Sequence, residues 1–586
     1  MLKEFDSPLI QTGIEGMYTD HTSFIFIADR DGEVIYLDDD IIIIQYDNKV
    51  CKAFNIGYRK LYLSVADFYN VYYQVGDSFK QGEIIAESNY LKNGRLTIGR
   101  NLLTSVMVYY GYNYEDGIVV SDKLVNEDTF TSVHYVDLTF EIPPNKILEN
   151  LNDNYETYKP LPDIFDKLQR GDTYSKIRTV WSEGFNDVIF EPVNEMTVPE
   201  NCIITNIKMY VNKWDKSFPQ YDNFVQSFMA KQKAKKEEYI HKLSKYLTRE
   251  ELEKFMSTLE INQTEKTRSN YKIKGDSLDG IRIEITAMYE RKLTIGDKLG
   301  NRHGNKGVIA AIVPKDKMPT LPDGRKADIV INPLGIISRM NIGQLYELHL
   351  AMALVDLKNI VRHKFEKKET KEDICNYVLG FIKIIDKTKD NNYTKQMEIL
   401  LKNTSLEVFI ENLDDFYIIQ PPFEAVQWED LNEALLYTGT EMEYDCFDPI
   451  QGTNTKQQVA FGYQYFMKLN HIAQDKISCR GVGPYSAKTA QPLAGKSRKG
   501  GQRLGEMEMW AVIAHGSEKN LKEFITTKSD SIRLRNHFIS QKMCNDDMLL
   551  DSEDDSVSQS LRLLQNNLRT IGLDYPLNEE GAVIDE

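Results

Sequence analysis

Four glycines spread through the twelve residues of "GDKLGNRHGNKG" (296–307) exclude a helix there and leave a tight, loop-like path for the backbone. A glycine inside a helix costs about 1 kcal/mol relative to alanine. The four-residue spacing of Lys298, Arg302 and Lys306 therefore does not signify one helical face. What remains is a glycine-rich loop bearing four potentially cationic side chains, His303 included. Such a loop lets backbone N–H groups approach an anion while lysine and arginine supply charge. A solvated turn uses the same letters, so the stretch gains meaning only from the rest of the chain.

At 586 residues there is room for several domains, and the net charge of −17 argues against a surface that coats nucleic acid everywhere. A basic channel inside an acidic exterior remains compatible with it. One interval does reverse the sign. From Arg480 to Arg503, six basic residues (Arg480, Lys488, Lys496, Arg498, Lys499, Arg503) accompany five glycines and no acidic residue. A flexible cationic track of this kind suits a phosphate backbone. The six cysteines form no CxxC pair, which gives neither zinc-knuckle spacing nor a disulfide framework and fits a reducing, intracellular compartment. "MLKEFDSPLI" lacks the pattern of a secretory signal, and no apolar run is long enough to span a bilayer.

Residues 1–135 read as strands and tight turns, with "IIII" (41–44) a buried-strand candidate. The stretch 224–260 is helical, alternates in charge, and has Thr248 and Glu251 as a capping box for its second half. It is either a protruding helical pair that meets a partner or a solvated insertion. Strand-like sequence returns at 280–298, and a second helical region covers about 342–400 with Asn341 as its N-cap. The acidic stretch 545–556 reads as a linker to a short final helix.

Several side chains can carry chemistry. Glu115 and Asp116 in "GYNYEDGIVVS" (111–121) can hold Mg²⁺ directly or through water, or can simply form a turn before a strand. Arg339 in "NPLGIISRMNIGQ" stands two residues before Asn341, where it could share an anion with a helix N-terminus. Ile342, Leu345 and Tyr346 follow core-packing spacing. His471 lies among apolar and basic residues, a setting in which a lone histidine is more often structural than catalytic.

These motifs, with "GPYSAKTAQPLAGK" and "GGQRLGEMEMWA", occur in the order found in the β subunit of multisubunit, bacterial-type DNA-dependent RNA polymerases. Weaker similarity in "SPLIQTGIEG", "VGDSFKQGEIIAE" and "LRLLQNNLRTIGLD" extends it nearly end to end, to the C-terminal half of that subunit. The chain thus resembles half of a split β subunit. The resemblance implies a mixed α/β, multidomain fold: a double-psi β-barrel core, an inserted flap, and C-terminal anchor and clamp segments. Residues 1–135 would be the first part of a hybrid-binding region, 136–279 the flap, and 280–450 the second part of the hybrid-binding region. Residues 451–530 would be an anchor or switch segment and 531–586 a clamp contribution, with barrel halves at about 90–135 and 280–350.

By the same resemblance, Glu115 and Asp116 help place a nucleotide-borne Mg²⁺, Lys298 and Lys306 meet the RNA 3′ end and nucleotide phosphates, and Arg339 meets the incoming triphosphate. Arg302, His303, His471 and the basic residues 480–503 would face nucleic acid. Implied partners are an N-terminal β-half polypeptide, a β′-like subunit carrying the "NADFDGD" aspartates that hold the catalytic Mg²⁺, DNA template, RNA, nucleoside triphosphates and a promoter-specificity subunit. Neither a membrane partner nor a zinc site is implied. The aspartate motif is absent from this sequence, so the chain is expected to be inactive alone. Only sixteen residues separate "GDTYSKIRTV" from "TVPENCIITNI", where bacterial relatives carry a sigma-binding flap tip. Asn301 replaces a glycine usual in the family loop, and Ala494 lies within "QPLAGK". A split β with a reduced flap resembles giant-bacteriophage polymerases, which would place the chain in the cytoplasm of a bacterial host. The alternative is a non-catalytic β-like protein that binds and regulates a host polymerase.

Overall fold

The computed structural model describes residues 2–15, 24–38, 40–57, 59–60, 66–151, 158–179, 194–249, 252, 265–267, 270–273, 276–386, 392–421, 426–544 and 558–574. They form two compact units, 1–470 and 471–586.

The first unit is built on six strands: β1 (Arg100–Val106), β2 (Gly117–Ser121), β3 (Lys298–Asn301), β4 (Lys306–Val313), β5 (Ile329–Ile331) and β6 (Val459–Lys468). They pair in the order β1-β5-β2-β4-β3-β6, and β6 returns to β1 with Arg100 opposite Phe466 and Val106 opposite Ala460. The sheet is therefore a closed barrel without a free edge. Two pairings, β1 with β5 and β2 with β4, are parallel. The alternation of the strands divides their side chains between two cores. Leu102, Ile118, Val120, Leu299, Ile309, Ile329 and Phe466 enter one, while Leu103, Val119, Val330 and Phe461 enter the other. Each fully buried aliphatic or aromatic side chain contributes ~1.5–3 kcal/mol.

The sequence expectation placed the barrel at about 90–135 and 280–350, which holds five of these strands. The sixth comes from the stretch assigned to the anchor. In "VAFGYQYFMK", Val459, Phe461, Tyr465 and Phe466 are buried, as a strand paired on both sides requires. The boundary between the two compact units falls after Asn470.

Between β2 and β3 the chain leaves the barrel on Ser132–Ile142 and returns on Ile281–Arg291, paired antiparallel along their whole eleven-residue length. Cys202–Val211 adds to the returning strand. Ile281, Ile283, Ile285 and Ala287 alternate into a core with Tyr221 and Val225 of the helix Pro219–Leu243. That helix starts five residues before the expected 224, with proline in its first turn, where the missing N–H costs nothing. Residues 250–251 and 253–260 of the expected helical stretch lie outside the described residues. The helix's far end, Leu243 with Leu247, is buried against Ile41 and Ile43 of the strand Ile41–Tyr46, so one helix ties two cores together. The capping box expected at Thr248 and Glu251 lies partly outside the described residues, as does the acidic stretch 545–556.

After β5 come α1 (Pro333–Arg339) and α2 (Gly343–Glu366). Asn332 caps α1, its side chain accepting from the Leu334 N–H, and Met340 ends it in the left-handed region at φ +55°. Asn341 is not the cap of α2; that place falls to Ile342, which makes no side-chain cap bond and is 59% exposed instead of packed in the core. Leu345 and Tyr346 do pack on the cores as their spacing predicts. The helical region continues as Lys371–Ile385 and Asn392–Asn403. In the second unit, the final helix runs Gln559–Thr570 behind a Ser558 cap. No helix among the described residues is long and apolar enough to cross a membrane.

Candidate functional site

The acidic pair sits in a turn fixed from beneath. Buried Asn113 accepts the Tyr109 N–H at 2.9 Å and donates to the Met107 carbonyl at 2.7 Å, pinning both ends of the loop. Glu115 adopts φ +54°, which swings the chain into β2 and leaves both carboxylates exposed. The Asp116 carbonyl accepts the Val308 N–H at 2.9 Å, stitching the turn to β4. This contact explains Gly307: a Cβ there would lie 2.5 Å from the Asp116 oxygen and 2.6 Å from the Ile118 side chain. The Asp116 carboxylate pairs with the guanidinium of Arg339. Arg339 is the last residue of α1, and its partner in the fold is this carboxylate.

The glycine-rich loop is a β-hairpin, β3 to β4. Lys298 lies opposite Val308, and Gly300 opposite Lys306, so the two lysines share one face as diagonal neighbours. Leu299 and Ile309 occupy the other face and enter the core. Lys306 is exposed and Lys298 half-buried, and among the described residues neither ammonium has an ion-pair partner.

The hairpin tip is held on α2. Buried Asn301 accepts the N–H groups of His303 and Asn305 at 3.0 and 3.1 Å and donates to Gln344 Oε1 at 2.8 Å. Asn305 donates to the same oxygen at 3.1 Å. One helical turn on, Glu347 receives two side chains of the tip: Arg302 Nη2 at 2.6 Å on one oxygen and His303 Nε2 on the other. Arg302 also donates to the Ile10 carbonyl at 2.6 Å and lies over the Tyr465 ring. Burial alone would push the Glu347 carboxyl up; Arg302 and His303 outweigh it and hold it below the usual carboxylate range. Arg302 and His303, expected to face nucleic acid, are thus engaged within the fold.

At the base of the hairpin, Asp297 and Lys468 form a buried pair at 3.5 Å, with the ammonium also donating to Ser132 Oγ at 3.1 Å. Burial lowers the Lys468 pKa, and Asp297 offsets part of that. Glu347, Gln344, Asn113 and this pair were not singled out from the sequence. A signal existed for Glu347, since a carboxylate inside the apolar run "ELHLAMAL" requires a cation.

The second unit holds the basic track. His471 is exposed, with Lys476 Nζ 3.2 Å from its Nδ1. Arg480 donates to the carbonyls of Pro484 and Lys499, at 3.0 and 2.5 Å, and lies over the Tyr485 ring with Arg535. Lys496 donates to the Asp475 carbonyl at 2.7 Å. The track is consequently a compact loop and not a flexible strand; a Cβ at Gly500 would lie 2.3 Å from the Leu493 oxygen. Lys488, Arg498, Lys499 and Arg503 are exposed and have no ion-pair partner among the described residues.

The structure therefore brings Glu115, Asp116, Lys298, Lys306 and Arg339 into one neighbourhood. Among the described residues no group of three or more histidine, cysteine or carboxylate side chains is placed to hold a metal. Two exposed carboxylates, one shared with Arg339, fit an ion that arrives with phosphate and water ligands of its own, as Mg²⁺ does.

Residues 78–498 match the family described as RNA polymerase Rpb2, domain 6, and residues 500–580 match RNA polymerase Rpb2, domain 7. The chain is similar to the DNA-directed RNA polymerase subunit beta of Mycoplasmoides gallisepticum, 30% identical over 98% of this chain and 40% of that protein. It is similar to the same subunit of Ureaplasma urealyticum, 29% identical over 97% and 39%, and of Sorangium cellulosum, 27% over 100% and 48%. It spans less than half the length of these curated relatives.

Proposed function

The chain belongs to the RNA polymerase Rpb2 domain 6 family, and from that premise we propose that it is the C-terminal β portion of a multisubunit DNA-dependent RNA polymerase. Its site positions the RNA 3′ end and the incoming nucleoside triphosphate. The observation that carries this reading is the convergence of three motifs, far apart in sequence, on one surface: the Glu115–Asp116 turn, the Lys298/Lys306 hairpin, and Arg339 paired to Asp116.

Phosphoryl transfer needs in-line placement and neutralisation of phosphate charge, which fixed cations supply. Lys306 and Lys298 present ammonium groups from a hairpin whose tip is bonded to α2. Arg339 is held by Asp116 until a triphosphate competes for it, and a bidentate guanidinium–phosphate contact then replaces the carboxylate. Glu115 and Asp116 would hold Mg²⁺ borne by the nucleotide, and that ion would supply further charge neutralisation. The catalytic ion itself would rest on a β′-like chain.

In this reading the closed barrel is the double-psi barrel, 136–279 is the flap, and the chain works with DNA, RNA and an N-terminal β portion. The exposed residues of the basic track meet the nucleic-acid backbone. The further reading, a split subunit encoded by a giant bacteriophage and acting in its host's cytoplasm, is supported by the short interval at 181–196. The test is Lys306→Ala in the assembled complex. Assembly should persist and the rate of nucleotide addition should fall ~100-fold or more. Elongation at the wild-type rate would remove the role assigned to the hairpin.

A further inference from the structure

Glu347 is the most strongly committed charged side chain near the hairpin, and nothing in the proposed chemistry uses it. It is 6% exposed and stands on α2 one turn after Gln344. One oxygen accepts from Arg302 at 2.6 Å and from the Tyr465 N–H of β6 at 3.2 Å; the other meets His303 Nε2. A single carboxylate thereby joins the hairpin tip, a barrel strand and the helix that follows Arg339. Gln344 repeats the pattern: its side-chain oxygen takes Asn301 and Asn305, and its backbone carbonyl takes Gln464 Nε2 of β6 at 2.9 Å. Close packing completes the joint, since a Cβ at Gly343 would lie 3.0 Å from the His303 ring.

We propose that Glu347 is a positioning residue: it clamps Arg302 and His303 so that Lys298 and Lys306, on either side of them, are held in fixed register with Arg339. This inference rests on the polymerase reading above. The geometry favours it over a bare stabilising role because both side-chain contacts, at the adjacent Arg302 and His303, fall between Lys298 and Lys306 at the tip of the hairpin. Loss of the clamp frees the tip to pivot about β3 and β4, and the ammonium groups move with it. Misplacement by about 1 Å is enough to cost two orders of magnitude in rate.

The experiment uses the complex purified from its source or by co-expression, with wild-type, Glu347→Gln and Glu347→Asp chains compared for amide exchange across 301–307 and for single-nucleotide addition. Glu347→Gln should assemble, lose protection at the His303 and Asn305 amides, and show a KM for nucleoside triphosphate raised about tenfold with a lowered kcat. Glu347→Asp, which keeps the charge on a shorter arm, should recover part of both. Wild-type protection and kinetics in Glu347→Gln would overturn the clamp. So would a variant that merely yields less folded complex while each active molecule keeps wild-type KM and kcat. A wild-type complex that makes no RNA would instead count against the polymerase reading, and the exchange comparison would still decide whether Glu347 holds the tip.

Discussion

At the scale of single residues, the site depends on one glycine and one exposed ion pair that act differently. Gly307 has no room for a methyl group against the Asp116 carbonyl and Ile118. Gly307→Ala should destabilise the first unit by ~1–3 kcal/mol, read as a lowered thermal midpoint, because β4 must separate from the acidic turn. The Asp116–Arg339 pair is over a third exposed on both sides, and such pairs contribute ~0–1 kcal/mol. Asp116→Asn should leave the thermal midpoint almost unchanged while altering the affinity for nucleotide, which titration of the complex with a nonhydrolysable triphosphate would measure. The cations and carboxylates of the site were legible in the sequence because glycine, charge and order carried them. Their internal partners were not. Nothing in the sequence sets Arg302 and His303 apart from the lysines near them, and only the fold brings Glu347, more than forty positions away, to bond both. Asn301, which stands where the family loop usually has glycine, is what organises the tip.

At the scale of elements, α2 and the long helix of the insertion carry the consequences. His349 of α2 is buried, its Nδ1 has no hydrogen-bond partner among the described residues, and burial pushes its pKa down to about 4. The folded chain keeps this ring neutral while the unfolded chain protonates it below about pH 6.5. Its contribution is therefore present above pH 6.5 and lost as the pH falls toward 4, at roughly 2 kcal/mol by pH 5. His349→Leu should flatten the fall in thermal midpoint between pH 7 and pH 5 relative to wild type. In the insertion, Leu243 is fully buried against Ile41 and Ile43, and Leu243→Ala should cost ~2–5 kcal/mol locally. Hydrogen exchange should then rise in Ile41–Tyr46 and at the helix end, with the barrel unaffected. The four isoleucines were readable as a buried strand because they are an unbroken β-branched run. The covering helix end was not readable, for nothing local marks Leu243 as the side chain that crosses to a second core. β6 escaped notice because it lies beside a conspicuous basic stretch, although its own apolar residues are those of a strand paired on both edges.

At the scale of the whole molecule, an acidic chain of net charge −17 presents cations without an ion-pair partner, among the described residues, on the hairpin of the first unit and on the loop 480–503 of the second. Phosphate contacts release counterions, so binding of nucleic acid by the complex should weaken steeply with salt. Replacing Arg498, Lys499 and Arg503 with glutamine should reduce the slope of log affinity against log salt by ~0.9 for each lost contact, whereas Arg480→Gln should act mainly on the folding of the loop, where Arg480 is bonded to two carbonyls. The broad fold was accessible from the sequence in outline, as a mixed α/β barrel with a long insertion. Its closure was not, because a barrel is defined by which distant strands meet. The most direct measurement is to tag this chain, purify it from its source, identify what accompanies it, and assay the eluate for template-dependent RNA synthesis with Mg²⁺. A companion chain bearing the missing aspartates, with synthesis that Lys306→Ala abolishes, is the expected result. An intact polymerase with its own full-length β subunit, whose activity this chain merely alters, would contradict it and make the chain a regulator.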